Sequence, residues 1–146
     1  MRVGVLIPSR DRPQLLREAI ASVQETSSHA DALVYIDEDQ RELYGLVENS
    51  NVHVLHGPRV GPVASANALV KAFPGYDAYG LITDDSRITT PGWDGWLMDA
   101  LDVFPKRLAV ISPHHSHSNY VDMPFVSRAW TMAVISPIKP VMMGHT

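Results

Sequence analysis

The stretch VGVLIPSRDRPQLLREAIASV (Val3–Val23) decides the fold. Val3–Pro8 is an unbroken apolar run of strand length, the pattern of a strand covered on both faces in a parallel sheet. A polar turn, SRDRP, follows, with Asp11 placed to cap a helix and Pro13 placed in its first turn. Leu15, Leu16, Ala19, Ile20 and Val23 then recur on one helical stripe. A buried strand that hands over to an amphipathic helix is the first half of a βαβ unit.

The pattern repeats. ALVYID (Ala32–Asp37) is a second apolar strand that ends in acid, and a short helix is expected around Gln40–Val47. VHVL (Val52–Leu55) is a third strand, leading into the turn-rich HGPRVGP. Pro62 opens a helix with Val63, Ala66, Leu69, Val70 and Phe73 inward. YGLIT (Tyr79–Thr83) is a fourth strand, PGWDGWLMDALDVF (Pro91–Phe104) the next helix and LAVIS (Leu108–Ser112) a fifth strand. Beyond it, PHHSHSNYVD is a polar loop, and MPFVSRAWTMAVIS (Met123–Ser136) reads as extended segments with no helix between.

Strand–helix alternation over residues 1–112 specifies an α/β fold: three α/β/α layers around a mainly parallel, Rossmann-like sheet with right-handed crossovers. Such sheets bind ligands outside the carboxyl ends of their strands. Ser9–Arg10, Asp37, His56 to Gly61 and Asp84–Asp85 are therefore expected on one edge.

The bulk numbers narrow the function classes. A chain of 146 residues suits one domain, and at this size about 70% of the unfolded surface is buried. The net charge is 12 − 16 = −4 with no basic run, so electrostatic capture of nucleic acid or anionic membrane is not the default. With no Cys, disulfide and thiolate chemistry are excluded. The first apolar run is too short for a signal peptide core or a membrane span, and the expectation is a cytoplasmic protein.

Asp84 and Asp85 carry the strongest chemical signal. Adjacent strand residues point to opposite faces, and charges this close raise each other's pKa unless something positive lies nearby. A hard divalent cation, Mg²⁺ or Mn²⁺, resolves the conflict and commonly bridges to substrate phosphates. The alternative is that Asp84 caps the turn while Asp85 is solvated. Asp37 is placed to accept hydrogen bonds from a ribose hydroxyl or a base imide, or else to cap the helix after it. No G-x-G-x-x-G follows the first strand and no Walker A sequence occurs. A nucleotide site has to use backbone groups of PSRDRP, together with Arg10 and the loop GPRVGPVASAN (Gly57–Asn67).

Four pieces in order resemble family 2 glycosyltransferases of the GT-A fold: VLIPSRDRPQLLREAIASV, VYIDEDQ, GPVASANALV and LITDDSRITTPGW. The likeness covers roughly residues 3–112. It implies a nucleotide-diphosphate sugar (UDP- or GDP-sugar) as donor, with Pro8, Ser9, Arg10, Arg59, Gly61 and Asn67 around the nucleotide. Asp37 would read the base, and Asp84 and Asp85 would serve the ribose and a Mn²⁺ or Mg²⁺ ion. The sequence departs from the family pattern in two places. Thr83-Asp84-Asp85-Ser86 replaces D-x-D, and Ser65-Ala66-Asn67 lacks the usual Arg.

The acceptor side is less complete. Residues 1–112 read as the nucleotide-sugar-binding half of a single domain spanning 1–146, and 113–146 as the start of an acceptor half. The family's late acidic base has no matching motif here. Asp122, the only acid after Asp102, is the candidate. The expectations that follow are a truncated chain, a partner that completes it, a homo-oligomer among the options, or a nucleotide-sugar-binding domain without catalysis. A sugar-1-phosphate nucleotidyltransferase is disfavoured, because the Gly-rich loop with Arg and Lys after the first strand is absent. His114, His115 and His117 read as a polar loop before a Zn²⁺ site, which needs three or four ligands with supporting partners. Trp93 and Trp96, three apart on a helix, read as core anchors, while Trp130 stays open between core and sugar stacking.

Overall fold

The computed structural model describes residues 1–46, 48–113 and 123–134. Strand β1 (Val3–Ser9) sends Val3, Val5 and Ile7 to one face of the sheet and Leu6 to the other, all buried. Helix α1 (Pro13–Thr26) returns along the first face, its Leu16, Ile20 and Val23 meeting those side chains. Each such fully buried aliphatic side chain contributes about 2 kcal/mol of transfer free energy. Strand β2 (Ala30–Asp37) is buried along its whole length. A 3₁₀ turn (Glu38–Gln40) and the single-turn α2 (Arg41–Tyr44) follow, in place of the longer helix expected to Val47. Gly45, at φ 52°, stops it with a left-handed C-cap.

Strand β3 (Val52–Gly57) leads to α3 (Gly61–Ala72), which covers the second face through Ala66, Leu69 and Val70. Strand β4 (Ala78–Leu81) pairs with β1, and α4 (Trp93–Asp102) joins the first face through Leu97, Met98 and Leu101. With β5 (Val110–Ile111) and β6 (Phe125–Ser127), the six-stranded sheet runs β3-β2-β1-β4-β6-β5, with β3, β2, β1 and β4 mutually parallel. The expected three-layer α/β architecture is present.

Three elements differ from expectation. Strand β5 shrinks to Val110–Ile111 at the sheet edge, after a turn in which Lys106 and Arg107 take positive φ (57° and 56°). Strand β6 (Phe125–Ser127) inserts between β4 and β5, antiparallel to both. It fits because Gly80 carries no side chain where the Phe125 ring lies. Helix α5 (Arg128–Val134) then replaces the expected extended segment. The overlooked signal is Ser127, whose hydroxyl accepts the Trp130 N–H at 3.1 Å and caps the helix.

Trp96 corrects the core assignment, being 75% exposed. Leu97, Met98 and Leu101 set the inward direction of α4, and at 100° per residue Trp96 falls on the far side. Trp93 sits nearer that direction and packs on Phe125, ring centroids 5.5 Å apart. Among the described residues no helix is long and apolar enough to cross a membrane.

Candidate functional site

Because β1, β2, β3 and β4 are parallel, their carboxyl ends share one edge. A cleft of ≈ 520 Å³ opens there, a size suited to a small-molecule ligand. Pro8, Ser9, Arg10, Asp37, Arg59, Gly61, Asp84 and Asp85 all line it. Asn67 does not. It lies further along α3 on another face, its Oδ1 buried without a hydrogen-bond partner among the described residues. Asp122, His114, His115 and His117 lie outside the described residues.

The first loop, SRDRP, is shaped by the segment after β2. Asp11 adopts φ 60°, a left-handed conformation that Asp tolerates. Its N–H donates to Gln40 Oε1 at 2.7 Å, and the Gln40 amide donates back to its carboxylate. Asp11 therefore does not cap α1. Arg12 occupies the cap position, without a side-chain capping bond. The Arg12 N–H donates to the Tyr44 hydroxyl at 3.2 Å. Tyr44 and Ser9 hydroxyls lie 2.7 Å apart, and Ser9 Oγ donates to Asp84 Oδ2 at 2.7 Å. Since the single Ser9 proton goes to the carboxylate, Tyr44 is the donor to Ser9. The Arg12 guanidinium closes the ring on Asp84 Oδ1 at 3.2 Å. One cycle of hydrogen bonds thus ties together the ends of β1 and β4, the start of α1 and the end of α2. Its Tyr44–Ser9–Asp84 arm is buried and fixes the site's floor, while the Arg12 side chain that closes it is half exposed.

The two acids that looked equivalent in sequence are different groups. Asp84 is only 6% exposed, with both oxygens engaged. The Asp85 side chain is 55% exposed, and its Oδ1 accepts the Thr83 hydroxyl at 2.6 Å. That hydrogen bond, with the Asp85 N–H and the Arg12 charge, holds the Asp85 carboxyl below the usual carboxylate range. Arg12 Nη1 lies 3.5 Å from Asp85 Oδ2, so one guanidinium faces both acids.

Asp37 is likewise committed. Arg10 Nη1 donates to it at 2.9 Å and also to Asp39 at 2.9 Å, with Nη2 reaching Asp39 at 3.0 Å. This bond to Arg10 keeps the Asp39 carboxyl below its ordinary range. Asp37 makes no capping bond, so the capping alternative is not the one adopted. From β2, the Tyr35 hydroxyl crosses over Gly57 at the end of β3 to donate to the Pro58 carbonyl at 2.7 Å. Burial, with the Asp37 charge adding to it, pushes the Tyr35 phenol up and keeps it a donor. The bond sets the loop carrying Arg59. Arg59 pairs with no other side chain among the described residues, and beside it Gly61 (φ 85°) starts α3 at the cleft.

Arg12, Tyr44, Gln40 and Thr83 were missed in the sequence. Arg12 had a signal: paired acids need a neighbouring positive charge, and Arg12 is one residue from the start of a helix that begins at the same edge. Tyr44 and Gln40 had none, since they act from a segment 32 and 29 residues away from Arg12 and Asp11. In chemical terms the cleft offers guanidinium groups that suit phosphate oxygens, and carboxylates that suit hydroxyl or amide donors.

A six-stranded α/β sheet with this cleft has the fold of the nucleotide-diphospho-sugar transferases. Among solved structures, residues 1–349 of TarS from S. aureus match with a TM-score of 0.60 at 11% identity, over 90% of this chain and 48% of that one. A putative nucleotide-diphospho-sugar transferase from Desulfovibrio desulfuricans G20 matches at 0.59 and 14%, over 100% and 69%. CMP:2-keto-3-deoxy-manno-octonic acid synthetase complexed with CTP matches at 0.61 and 11%, over 90% and 76%. The chain spans about half the length of the TarS structure. No protein-family model matches the sequence, and no curated protein does.

Proposed function

We propose that this chain binds a nucleotide-diphosphate sugar in the strand-end cleft and serves sugar transfer to an acceptor, as in family 2 glycosyltransferases. The observation that carries the reading is the convergence of Asp37, Asp84, Asp85 and Arg59 on one cleft from three different strand ends. Arg59, with no partner among the described residues, is the group best placed to take a phosphate oxygen. Asp37 presents its second oxygen to a base or ribose donor beside the Arg10 pair. Asp84 holds the shape of the floor, and its contact to the ligand would pass through Ser9 and Arg12.

A Mn²⁺ or Mg²⁺ ion fits this site through Asp85. Its carboxylate is the most open of the three, whereas both Asp84 oxygens are already bonded. Among the described residues no group of three or more acids or His is assembled for a metal. That suits an ion held by one carboxylate, substrate phosphates and water, as Mg²⁺ often is. When bound, it would neutralise charge on the departing nucleoside diphosphate. In the transfer step an acceptor oxygen bonds the anomeric carbon as the bond from that carbon to the diphosphate oxygen breaks. The bonding pair leaves on the diphosphate, and the acceptor proton goes to a base.

That base is the weak point on which a second reading stands. Each cleft carboxylate is already engaged: Asp37 by Arg10, Asp84 by Ser9 and Arg12, Asp85 by Thr83. This favours the alternative of a nucleotide-sugar-binding domain or subunit whose base comes from elsewhere, Asp122 being the candidate within the chain. Calorimetry with UDP- and GDP-sugars and with CTP, each with and without Mn²⁺, tests both. Binding strengthened by Mn²⁺ and weakened at least tenfold in Asp85→Ala supports the donor site. Donor hydrolysis or transfer separates enzyme from binding domain. Preference for CTP would move the reading to nucleotidyl transfer, and no nucleotide binding at all would overturn it.

A further inference from the structure

The chain itself places a positive charge beside Asp84 and Asp85. Arg12 Nη1 stands 3.2 Å from Asp84 Oδ1 and 3.5 Å from Asp85 Oδ2, and all three residues line the cleft. The two ends of Arg12 are held very differently. The backbone N–H is fixed to Tyr44, and Pro13 follows directly, restricting the conformations Arg12 can take. The side chain is 51% exposed, and among the described residues its guanidinium donates a single hydrogen bond, to Asp84, with Asp85 at 3.5 Å. The contact to Asp85 joins two half-exposed side chains, a pairing that is weakly held and exchanges partners cheaply. Arg12 is therefore a charge on a fixed pivot, with a side chain free to swing into the cleft.

We infer that Arg12 is a resident counter-ion that competes with a divalent cation for the paired carboxylates and transfers to the ligand's diphosphate when cation and nucleotide enter together. This rests on the donor-site reading and specifies how that site is regulated. Without nucleotide, a divalent ion at Asp85 has to approach a guanidinium already beside the same oxygens, and like charges at such distances repel. A diphosphate removes the conflict. Its oxygens accept the guanidinium in a bidentate geometry that a carboxylate pair split between two residues does not supply. Asp85 is then released to the ion. Cation and nucleotide should bind with positive coupling, and by linkage each strengthens the other by the same factor. Ser9 and Tyr44 keep Asp84 oriented throughout, so the floor need not move.

The test is a Mn²⁺ titration, followed by electron paramagnetic resonance and calorimetry, on wild type, Arg12→Gln and Arg12→Lys, with and without UDP. In Arg12→Gln, Mn²⁺ alone should bind about tenfold tighter than in wild type. The factor by which UDP strengthens Mn²⁺ binding should shrink accordingly. Arg12→Lys retains a cation on the same pivot and should keep Mn²⁺ affinity low, a rescue that a purely structural role would not give. Near-identical unfolding temperatures for the two variants show that both fold. If wild type binds UDP with Mn²⁺ but Mn²⁺ affinity is unchanged in Arg12→Gln, the counter-ion inference is wrong and the donor-site reading stands. If no variant binds UDP or any nucleotide sugar, the donor-site reading fails instead. Tighter Mn²⁺ binding in Arg12→Gln would still be read separately, through Asp84 and Asp85 alone.

Discussion

The two ends of the parallel sheet carry the same ingredients in different states. At the amino-terminal edge Asp31, 3% exposed, accepts the Tyr76 hydroxyl at 2.6 Å and pairs with the Arg2 guanidinium, with His53 Nε2 at 3.7 Å. Arg2 also lies over the Tyr76 ring, 5.4 Å from its centroid, and its N–H donates to Asp77 at 2.8 Å. None of these residues lines the strand-end cleft. At the carboxyl edge Asp84 is nearly as buried and also carries an arginine partner, but the cluster surrounds ≈ 520 Å³ of open space. There Arg59 and most of Asp85 remain available to a ligand. A buried acid with an arginine marks a closed structural knot as readily as a site. Unspent bonding capacity next to open space is what tells them apart.

Cutting the closed end should give the largest effect on the protein, and none on its ligand. Asp31→Ala leaves the buried Tyr76 hydroxyl without its acceptor and Arg2 without its partner. The cost is about 2 kcal/mol, kept from rising higher because Arg2 is half exposed. At roughly 3 °C per kcal/mol for a chain of this size, the unfolding temperature should fall by about 6 °C. Differential scanning calorimetry measures the fall, and nucleotide titration should give an affinity within twofold of wild type. Loss of nucleotide binding equal to that in Asp85→Ala would break the contrast between the two ends.

The sequence distinguished these ends only by topology. The strand–helix alternation from Val3 to Leu101 was legible because both buried strands and amphipathic helices write long, regular patterns. The direction of the strands then placed Pro8, Ser9, Arg10, Asp37, Arg59, Gly61, Asp84 and Asp85 around one cleft. What was illegible is non-local. Tyr44 reaches Arg12 and Ser9 only because an unusually short helix ends beside them, and no periodicity encodes a hydrogen bond across that distance. Asn67 was placed by likeness to a helix motif, and the rotation of α3 puts it elsewhere. The edge of the sheet fared worst, since strands of two and three residues write too little pattern to read. Trp96 was misjudged because two tryptophans three apart do not by themselves say which one faces inward.

Arg59→Ala sharpens the comparison from the open end. Arg59 is exposed and unpaired among the described residues, so its removal should leave the unfolding temperature within about 1 °C. A charge-assisted bond to phosphate at a solvent-facing site should cost about 1.4 kcal/mol when lost, or tenfold in affinity for UDP- or GDP-sugar. The remaining affinity should also depend less on salt, because one screened contact is gone. Titrations at two ionic strengths measure both quantities. A stability loss with unchanged affinity would place Arg59 among the structural charges and remove it as the ligand's cation.

The smallest effect separates the two ends by titration alone. Thr83→Val removes the hydroxyl that does most to hold the Asp85 carboxyl down, while keeping the branched shape of the side chain. The Asp85 pKa should rise toward the unperturbed value of about 3.9. Because the folded-state value in wild type lies below the unfolded one, the stability this bond lends is complete above about pH 4 and is lost as the pH falls through the folded value. Wild type and variant should therefore differ most above that window and converge below it. Carboxyl-carbon NMR titration of Asp85 reads the shift directly. The closed end gives the matching control: burial, reinforced by Asp31, pushes the Tyr76 phenol up, so it stays protonated throughout the same titration. An Asp85 titration unmoved by Thr83→Val would mean that the Arg12 and Arg87 charges supply the field there. The paired acids would then depend on those cations even more than the geometry requires.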